Sequence, residues 1–365
     1  MAETSGNKPA NGSKASNDVT HTSAFCVALS SLNQSIKLHS DNPADFLAAI
    51  NDAKIAWINC TVEDLEKNGP GVVKALGFGQ DLFQSLLVDS PSVYEDEDLE
   101  LGMKLPVIRV YNLEVSTYPL LILIKRNLIL TIHTQEVVRL KKFARYAETF
   151  MRKIPSDAPW QDKISMVLYR ILAENNERNF DGLREIEEEA DTISKDLMDP
   201  TMPRQKLGAE IYKMKHALIV YLNDLWNILD VLHSLRYGDA EIITDDPALL
   251  SRLDSLVTDI RGQISLSEHM SEVLASGLEV LQSIYNNQLQ ILNNRLTVVV
   301  VWLTILGTAV LVPNTLATIL SNPAYGLGAK DVWWYSVLMI LSTVLATFGA
   351  YLFIKFKGWL PKRVD

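Results

Sequence analysis

Two long apolar segments occupy the C-terminal part of the chain. No charged residue lies between Arg295 and Lys330, and none lies between Asp331 and Lys355. Within these gaps, residues 296–320 and residues 332–354 are each long enough to cross the roughly 30 Å hydrocarbon core of a bilayer as a helix. The sequence therefore predicts two transmembrane helices rather than the two buried helices of a soluble core.

The linker and the charges at the ends of these segments predict a topology. Residues 321–331 are too few for more than a tight external loop, so both flanking parts of the chain lie on one side. Lys355 and Lys357 begin a basic tail over residues 355–365, and the positive-inside rule places that tail in the cytoplasm. We expect a multi-pass protein of the cell membrane with both termini cytoplasmic, in which Lys355 and Lys357 of several copies form a basic ring.

Short β-rich runs mark the first part of the chain, at residues 55–60, 107–111, 120–124 and 128–132. Thr61 and Asp64 follow the first run at the spacing of a capping box, which predicts a strand that leads into a helix. Only Lys125, Arg126 and Asn127 separate the last two runs. This spacing predicts a β-hairpin within a mixed sheet.

Helical periodicity replaces the β-rich runs beyond Gln135 and continues to about Tyr237, with an interruption near Pro203. We interpret residues 25–245 as a cytoplasmic α/β/α domain whose second half is helical. Residues 1–24 are rich in Asn, Ser, Thr and Lys and are nearly devoid of apolar side chains. They predict a disordered N-terminal tail.

A long helix is predicted to connect this domain to the membrane. Asp246 and Pro247 form a helix-start signature, and no further proline occurs before Pro313. Residues 246–295 then form a stalk that continues into the first span. Apolar residues repeat along the stalk at coiled-coil spacing, which predicts a homo-oligomer: Leu250, Leu253, Val257, Ile260 and Ile264.

One face of the first span is polar. Steps of three and four residues collect Asn287, Gln290, Asn294, Thr297, Val301, Thr304, Thr308, Leu311, Thr315, Thr318 and Asn322, and nine of these eleven are polar. A polar stripe in a membrane helix faces either water or another helix. We interpret it as the lining of a pore formed by several copies, with hydrogen-bonded helix packing as the alternative. Val301 and Leu311 are the apolar steps and the candidate constrictions.

Composition narrows the remaining chemistry. The chain has a net charge of −10, of which residues 296–365 contribute +3, so residues 1–295 carry −13, and nucleic acid is excluded as a partner. No Walker A or GxGxxG motif occurs, the six histidines are scattered, and the two cysteines have no ligand spacing. We therefore expect passive electrochemical flux without catalysis, cofactor or identifiable metal-ligand set.

Several segments resemble one known family. Ala56-Trp57-Ile58-Asn59 is similar to its early "WIDL" strand, and residues 121–134 resemble its "FLGKNLLLTVH" hairpin. The residues Ser276-Gly277-Leu278 and the tail at residues 356–360 are similar to its stalk and basic ending. The chain thus resembles the CorA-type magnesium and cobalt channels. The resemblance implies a homopentameric funnel, a pore lined by the first span, and gating by the cytoplasmic domain in response to divalent ions.

The sequence also departs from that family. Its Gly-Met-Asn signature should fall near Asn322 and is absent, and Gln84-Ser85 stands where the family has a Glu-Asp pair. We therefore take Asn314 and Asn322 as the candidate selectivity filter of a divalent-cation channel, with Mg²⁺ first and Co²⁺ or Ni²⁺ also carried. The alternatives are a transporter that prefers zinc or another transition metal, and a non-conducting membrane sensor or scaffold.

Overall fold

The structure, a computed structural model, describes residues 23–198, 203–238, 240–322, 326 and 328–357. The chain divides into two compact units, one up to Ser276 and the other from Gly277 onward. Most of the predicted tail and of the basic ending lies outside the described residues.

A mixed seven-stranded sheet forms the centre of the first unit. Its strands lie in the order β2-β1-β3-β7-β6-β5-β4, and all neighbours are antiparallel except the parallel pair β3–β7. The strands are β1 Ser23–Ser30, β2 Ser35–Ser40, β3 Ala53–Thr61, β4 Val93–Glu97, β5 Glu100–Tyr111, β6 Glu114–Lys125 and β7 Leu128–His133. The parallel pair requires a crossover, which the helices and strands between β3 and β7 provide.

The predicted hairpin is confirmed, since β6 and β7 pair antiparallel with Leu123 opposite Leu130. Three strands were not predicted: β1, β2 and β4. β1 begins at Ser23, so the last two residues of the predicted tail belong to the sheet. The predicted capping box is wrong, because its first residue, Thr61, is the last residue of β3. The N-cap of the following helix is Asp64, which accepts the N–H groups of Glu66 and Lys67.

Helices cover both faces of the sheet. They are α1 Leu47–Asn51, α2 Leu65–Ala75, α3 Gln80–Leu86, α4 Leu140–Met151, α5 Trp160–Glu177, α6 Asn179–Met198 and α7 Arg204–Tyr237. On one face, α1 to α3 enclose an apolar core that includes Phe46, Val73 and Phe83. On the other face, the ring of Trp57 stacks on that of Phe143 from α4 at 4.6 Å between centroids. The predicted α/β/α layering with a helical second half is confirmed.

Helix α8 runs without interruption from Pro247 to Leu320, a length of 74 residues. Asp246 caps it as predicted, with its Oδ1 atom accepting the N–H of Ala248 at 3.2 Å. The helix also continues through Pro313, whose missing N–H leaves the carbonyl of Ala309 without its usual helical donor.

The predicted coiled-coil seam on the stalk is wrong. Leu253, Val257, Ile260 and Ile264 are all buried within a single subunit. Polar contacts show which helices lie against this part of α8: Gln263 donates to Asn176 of α5, and Arg236 of α7 pairs with Asp254 at 3.0 Å. These four residues of the predicted seam therefore pack against their own domain rather than a neighbouring stalk, and Leu250, the fifth, is half-buried.

In the second unit, the remainder of α8 lies with α9, which spans Val332–Phe356. Both helices carry windows that are long and apolar enough to cross a membrane, and little of either window is buried. In the predicted external loop, a short 3₁₀ helix at Ala329–Asp331 precedes α9, and Asp331 accepts the N–H of Gly328 at 3.0 Å.

We predict that Gly69→Ala destabilises the protein and that Gly71→Ala does not. A Cβ atom at Gly69 would lie 2.3 Å from Cζ of Phe83, whereas a Cβ at Gly71 meets nothing within 4 Å. The clash should cost about 1–3 kcal/mol, whereas the exposed alanine gains up to about 1 kcal/mol of helix propensity. Thermal unfolding of the detergent-purified full chain measures both variants. Equal melting temperatures for the two would contradict this packing.

Candidate pore-lining site

The polar stripe on α8 is exposed over most of its length within the subunit. Of its members, Asn287, Gln290, Asn294, Thr297, Thr304, Leu311, Thr315, Thr318 and Asn322 are exposed, and Thr308 is half-buried. The structure thus brings the predicted residues onto one continuous helix. It contains one subunit, so their arrangement around a pore stays a prediction.

The threonine hydroxyls of the stripe all donate hydrogen bonds to their own helix. Thr297, Thr304, Thr308, Thr315 and Thr318 each donate to the carbonyl four residues earlier, at 2.8 to 2.9 Å. A hydroxyl has one proton and two acceptor lone pairs, so each of these oxygens retains its acceptor capacity. The stripe therefore presents acceptors, which suits cations or the water around them rather than anions.

Val301 differs from the other stripe residues because α9 covers it. Its side chain is 6% exposed and packs with Ile305 and with Ile354 of α9. This contradicts its interpretation as a free apolar ring, and Leu311, at 64% exposure, is the apolar step that stays open. Ile354 was not predicted as a partner of Val301. The signal was its position: in a hairpin of two spans, the end of the second span lies level with the start of the first.

A cavity of about 340 Å³ lies beside this contact, lined mainly by α8. Thr297 and Thr304 face it, together with Asn293 and the side chains of Phe353 and Ile354. The polar stripe therefore runs along one side of the α8–α9 contact.

The filter candidates lie toward the far end of α8. Asn314 follows Pro313 within the helix and is exposed, and its carbonyl accepts the Thr318 hydroxyl at 2.8 Å. Asn322 lies just beyond the last helical residue, and its N–H donates to the carbonyl of Ile319 at 3.2 Å. The two amides are thus about two turns apart, at separate levels along the helix axis.

Charge is concentrated at the opposite end of the pair of helices. Lys355 lies in the last turn of α9 and Lys357 at its C-cap, and both are exposed. Positive charge is favourable at a helix C-terminus, where the backbone carbonyls carry partial negative charge. In the described part of the chain, no cluster of three or more histidine, cysteine or acidic side chains is suited to hold a metal ion.

Comparison with known proteins identifies the family. The family model described as CorA-like Mg²⁺ transporter protein matches residues 52–355, which is most of the chain. The chain belongs to this family. The resemblance found in the sequence is thereby confirmed, and members of the family are membrane transporters rather than enzymes.

Individual relatives agree with this assignment. The cobalt/magnesium transport protein CorA of Methanocaldococcus jannaschii is 25% identical over 322 residues, which cover 86% of this chain and 93% of that protein. The complete structure of the CorA magnesium transporter from the same organism has a TM-score of 0.62 at 20% identity, over 89% of this chain and 96% of that one. The full-length CmaX protein gives 0.63 at 12% identity, over 93% and 99%. The α/β domain, long helix and apolar C-terminal helix are therefore a CorA-type fold.

We predict that water reaches the stripe and not the opposite side of α8. Thr308→Cys and Thr315→Cys should react with a membrane-impermeant cationic thiol reagent at least ~10-fold faster than Val310→Cys, because a thiol in lipid stays protonated. Val310 is 63% exposed and lies on the side of α8 opposite Val301, so it is the matched control. The native thiols should give no background, since burial raises the pKa of both Cys26 and Cys60 to about 12.

The measurement is mass spectrometry of the reconstituted protein after timed exposure to the reagent. Equal, slow labelling at all three positions would show that the stripe is packed against protein and dry.

Proposed function

We propose that this protein is a homopentameric channel that conducts hydrated divalent cations, with Mg²⁺ as the main ion, down their electrochemical gradient. The observation that carries the proposal is the row of threonines on α8. Their hydroxyls donate hydrogen bonds to backbone carbonyls of the same helix, so their oxygen lone pairs remain available as acceptors. Family membership supports divalent-cation transport in general. Several copies of the stripe are needed because two spans cannot enclose a pore, and the number five is what the resemblance to the CorA-type channels implies.

The absence of charge in the stripe favours passage of the ion with most of its water. A divalent ion loses a large hydration energy when it is stripped of water, and negatively charged carboxylates offset more of that loss than neutral oxygens do. The stripe contains none. Asp331, the acid of the predicted external loop, already accepts a hydrogen bond from Gly328 and adjoins Lys330. Neutral oxygens that bind the first hydration shell are the remaining means of selection.

Asn314 and Asn322 are the proposed filter. Each offers an amide oxygen at the end of α8 where the helix approaches its C-terminus, and the carbonyl of Ala309 lacks its helical donor because of Pro313. A ring of such amides is uncharged, so we expect it to bind ions weakly and to admit several divalent ions with a modest preference. The Gly-Met-Asn signature of the family is absent from this chain.

Magnesium ranks above zinc because of the ligands near the membrane. Zinc favours nitrogen and sulfur ligands, whereas Mg²⁺ favours oxygen. The last histidine before the spans is His269, and both cysteines are buried in the first unit. Every polar side chain of the stripe is an amide or a hydroxyl.

The topology follows from the basic end of the helices. Lys355 and Lys357 lie beside the level at which α8 enters the membrane, and cytoplasmic ends carry an excess of such residues. We therefore place both termini and the α/β domain in the cytoplasm of a cell whose plasma membrane holds the channel. Gating by the cytoplasmic domain is part of the same proposal. Lys355 and Lys357 of all copies form the basic ring of the channel.

Flux into proteoliposomes tests the ion and the filter together. The wild-type chain should carry Mg²⁺, Co²⁺ and Ni²⁺ and carry less Zn²⁺. Asn314→Ala and Asn322→Ala should each change the ratios among these ions by roughly 5-fold, since loss of one amide from every subunit should alter the discrimination between ions by about 1 kcal/mol. Val310→Ala is the matched control. Native mass spectrometry of the same samples should give five copies. Unchanged ratios in assembled variants would exclude both amides from the filter. If no sample conducts any ion, the proposal of a channel fails and the alternative of a non-conducting sensor or scaffold is favoured.

Leu311→Ser should raise resting flux. Leu311 is the exposed apolar member of the stripe, and narrow apolar rings exclude water and so block ions. Val301→Ser should not have this effect, because Val301 lies against Ile354 and its change disturbs packing instead. Both variants are measured at equal reconstituted protein. Equal or lower flux in Leu311→Ser than in the wild type would place the gate elsewhere.

A further inference from the structure

A second groove lies between α8 and α9, on the side away from the polar stripe. Its volume is about 510 Å³, and its lining is almost entirely apolar. The main contributors are Trp302, Ile305, Val344, Thr347, Phe348 and Tyr351. The Thr347 hydroxyl donates to the carbonyl of Thr343 at 2.7 Å, so it leaves no free proton in the groove.

The large side chains of this groove are exposed within the subunit. Trp302 is 61% exposed, Phe348 59% and Val344 59%. The groove therefore needs a partner that is apolar along most of its length.

Two cations flank the groove at one end. Arg295 precedes Trp302 by seven residues, and Lys355 follows Tyr351 by four, so each lies on the groove-facing side of its helix. Both side chains are exposed. The order along the groove is thus cation, aromatic ring, aliphatic side chain.

That order matches the parts of a phospholipid. Lysine and arginine lie at the level of the phosphates, tryptophan and tyrosine favour the headgroup boundary, and the acyl chains fill the apolar interior. Lys357 lies about 200° around α9 from Lys355, so it does not face the groove. The positive charge at the groove is therefore specific to Arg295 and Lys355.

We propose that this groove binds one anionic phospholipid per subunit, with the phosphate between Arg295 and Lys355 and an acyl chain along Trp302, Val344 and Phe348. Charge favours lipid over a second copy of the chain. Between residues 280 and 357 the one acidic residue is Asp331, at the opposite end of the helices, so a neighbouring copy brings more positive charge to this level. The proposal depends on membrane insertion and is independent of conduction.

Native mass spectrometry of the full chain in neutral detergent tests the proposal. The probes are dioleoylphosphatidylglycerol, dioleoylphosphatidylcholine and inorganic phosphate, titrated separately. The wild type should retain one phosphatidylglycerol per subunit in preference to phosphatidylcholine, and millimolar phosphate should not displace it. The double variant Arg295→Gln/Lys355→Gln should weaken retention by roughly 30-fold, and each single variant by roughly 5-fold, as expected for about 1 kcal/mol per cation.

Two further variants separate the charge from the groove. Lys357→Gln removes one positive charge at the same level and should weaken retention by less than ~3-fold, because that side chain faces away. Val344→Trp fills the groove and should reduce retention of both lipids while the oligomer mass stays unchanged. The single variants keep the test available if the double variant does not assemble.

Three results would overturn the proposal. Equal losses in Lys357→Gln and Lys355→Gln would indicate non-specific attraction, and displacement by phosphate would indicate a simple anion site. Loss of the oligomer in Val344→Trp, with retention unaffected by Arg295→Gln/Lys355→Gln, would show that a second copy covers the groove.

Discussion

Backbone hydrogen bonding in the absence of water is the constraint on which this structure depends. In hydrocarbon every N–H and C=O group must find a partner within the protein, and a continuous helix provides those partners without help from neighbours. Helix α8 meets this requirement over most of its length from Pro247 to Leu320, and the carbonyl of Ala309, opposite Pro313, is the group that lacks its usual helical donor. Polar side chains can lie on such a helix at moderate cost because their hydroxyl protons also bond to its carbonyls, as those of Thr304 and Thr315 do.

Helix α8 contributes residues to both units, since it runs from Pro247 to Leu320. The first turns of α8 are capped by Asp246 and packed into the α/β unit through residues such as Ile260 and Gln263, which are fully buried. Gln263 donates to Asn176, whose Oδ1 atom also accepts from Asn179. A buried amide network tolerates little change in register, since each lost partner leaves an unpaired polar group. Within the first unit, this network therefore holds α5, α6 and the first part of α8 in one register.

The parts of the fold that were predicted from sequence have strong local signals. Two long stretches without charged residues predicted the two spans. The short polar segment from Lys125 to Asn127 predicted the hairpin, and the pair Asp246-Pro247 predicted the start of α8. β2 was missed because it is an edge strand with no buried residue, and so it lacks apolar alternation. The seam on α8 was misassigned because 3/4 spacing shows that one face of a helix is covered. It does not show whether the same chain or a neighbouring chain covers that face. Val301 was misassigned for the same reason, since its partner Ile354 is more than fifty positions away.

The contact between α8 and α9 divides the membrane unit into two chemically different sides. On one side threonine and asparagine side chains contribute to the lining of a cavity, and on the other aromatic and aliphatic side chains line a groove that has almost no polar surface. The pairing of Val301 and Ile305 with Ile354 lies between these two sides and holds the facing surfaces of α8 and α9 together. A rotation of one residue step, about 100°, would turn the acceptors toward hydrocarbon. In the proposed channel, a few buried methyl groups at the basic end would therefore determine which side of the helix meets water and which meets lipid.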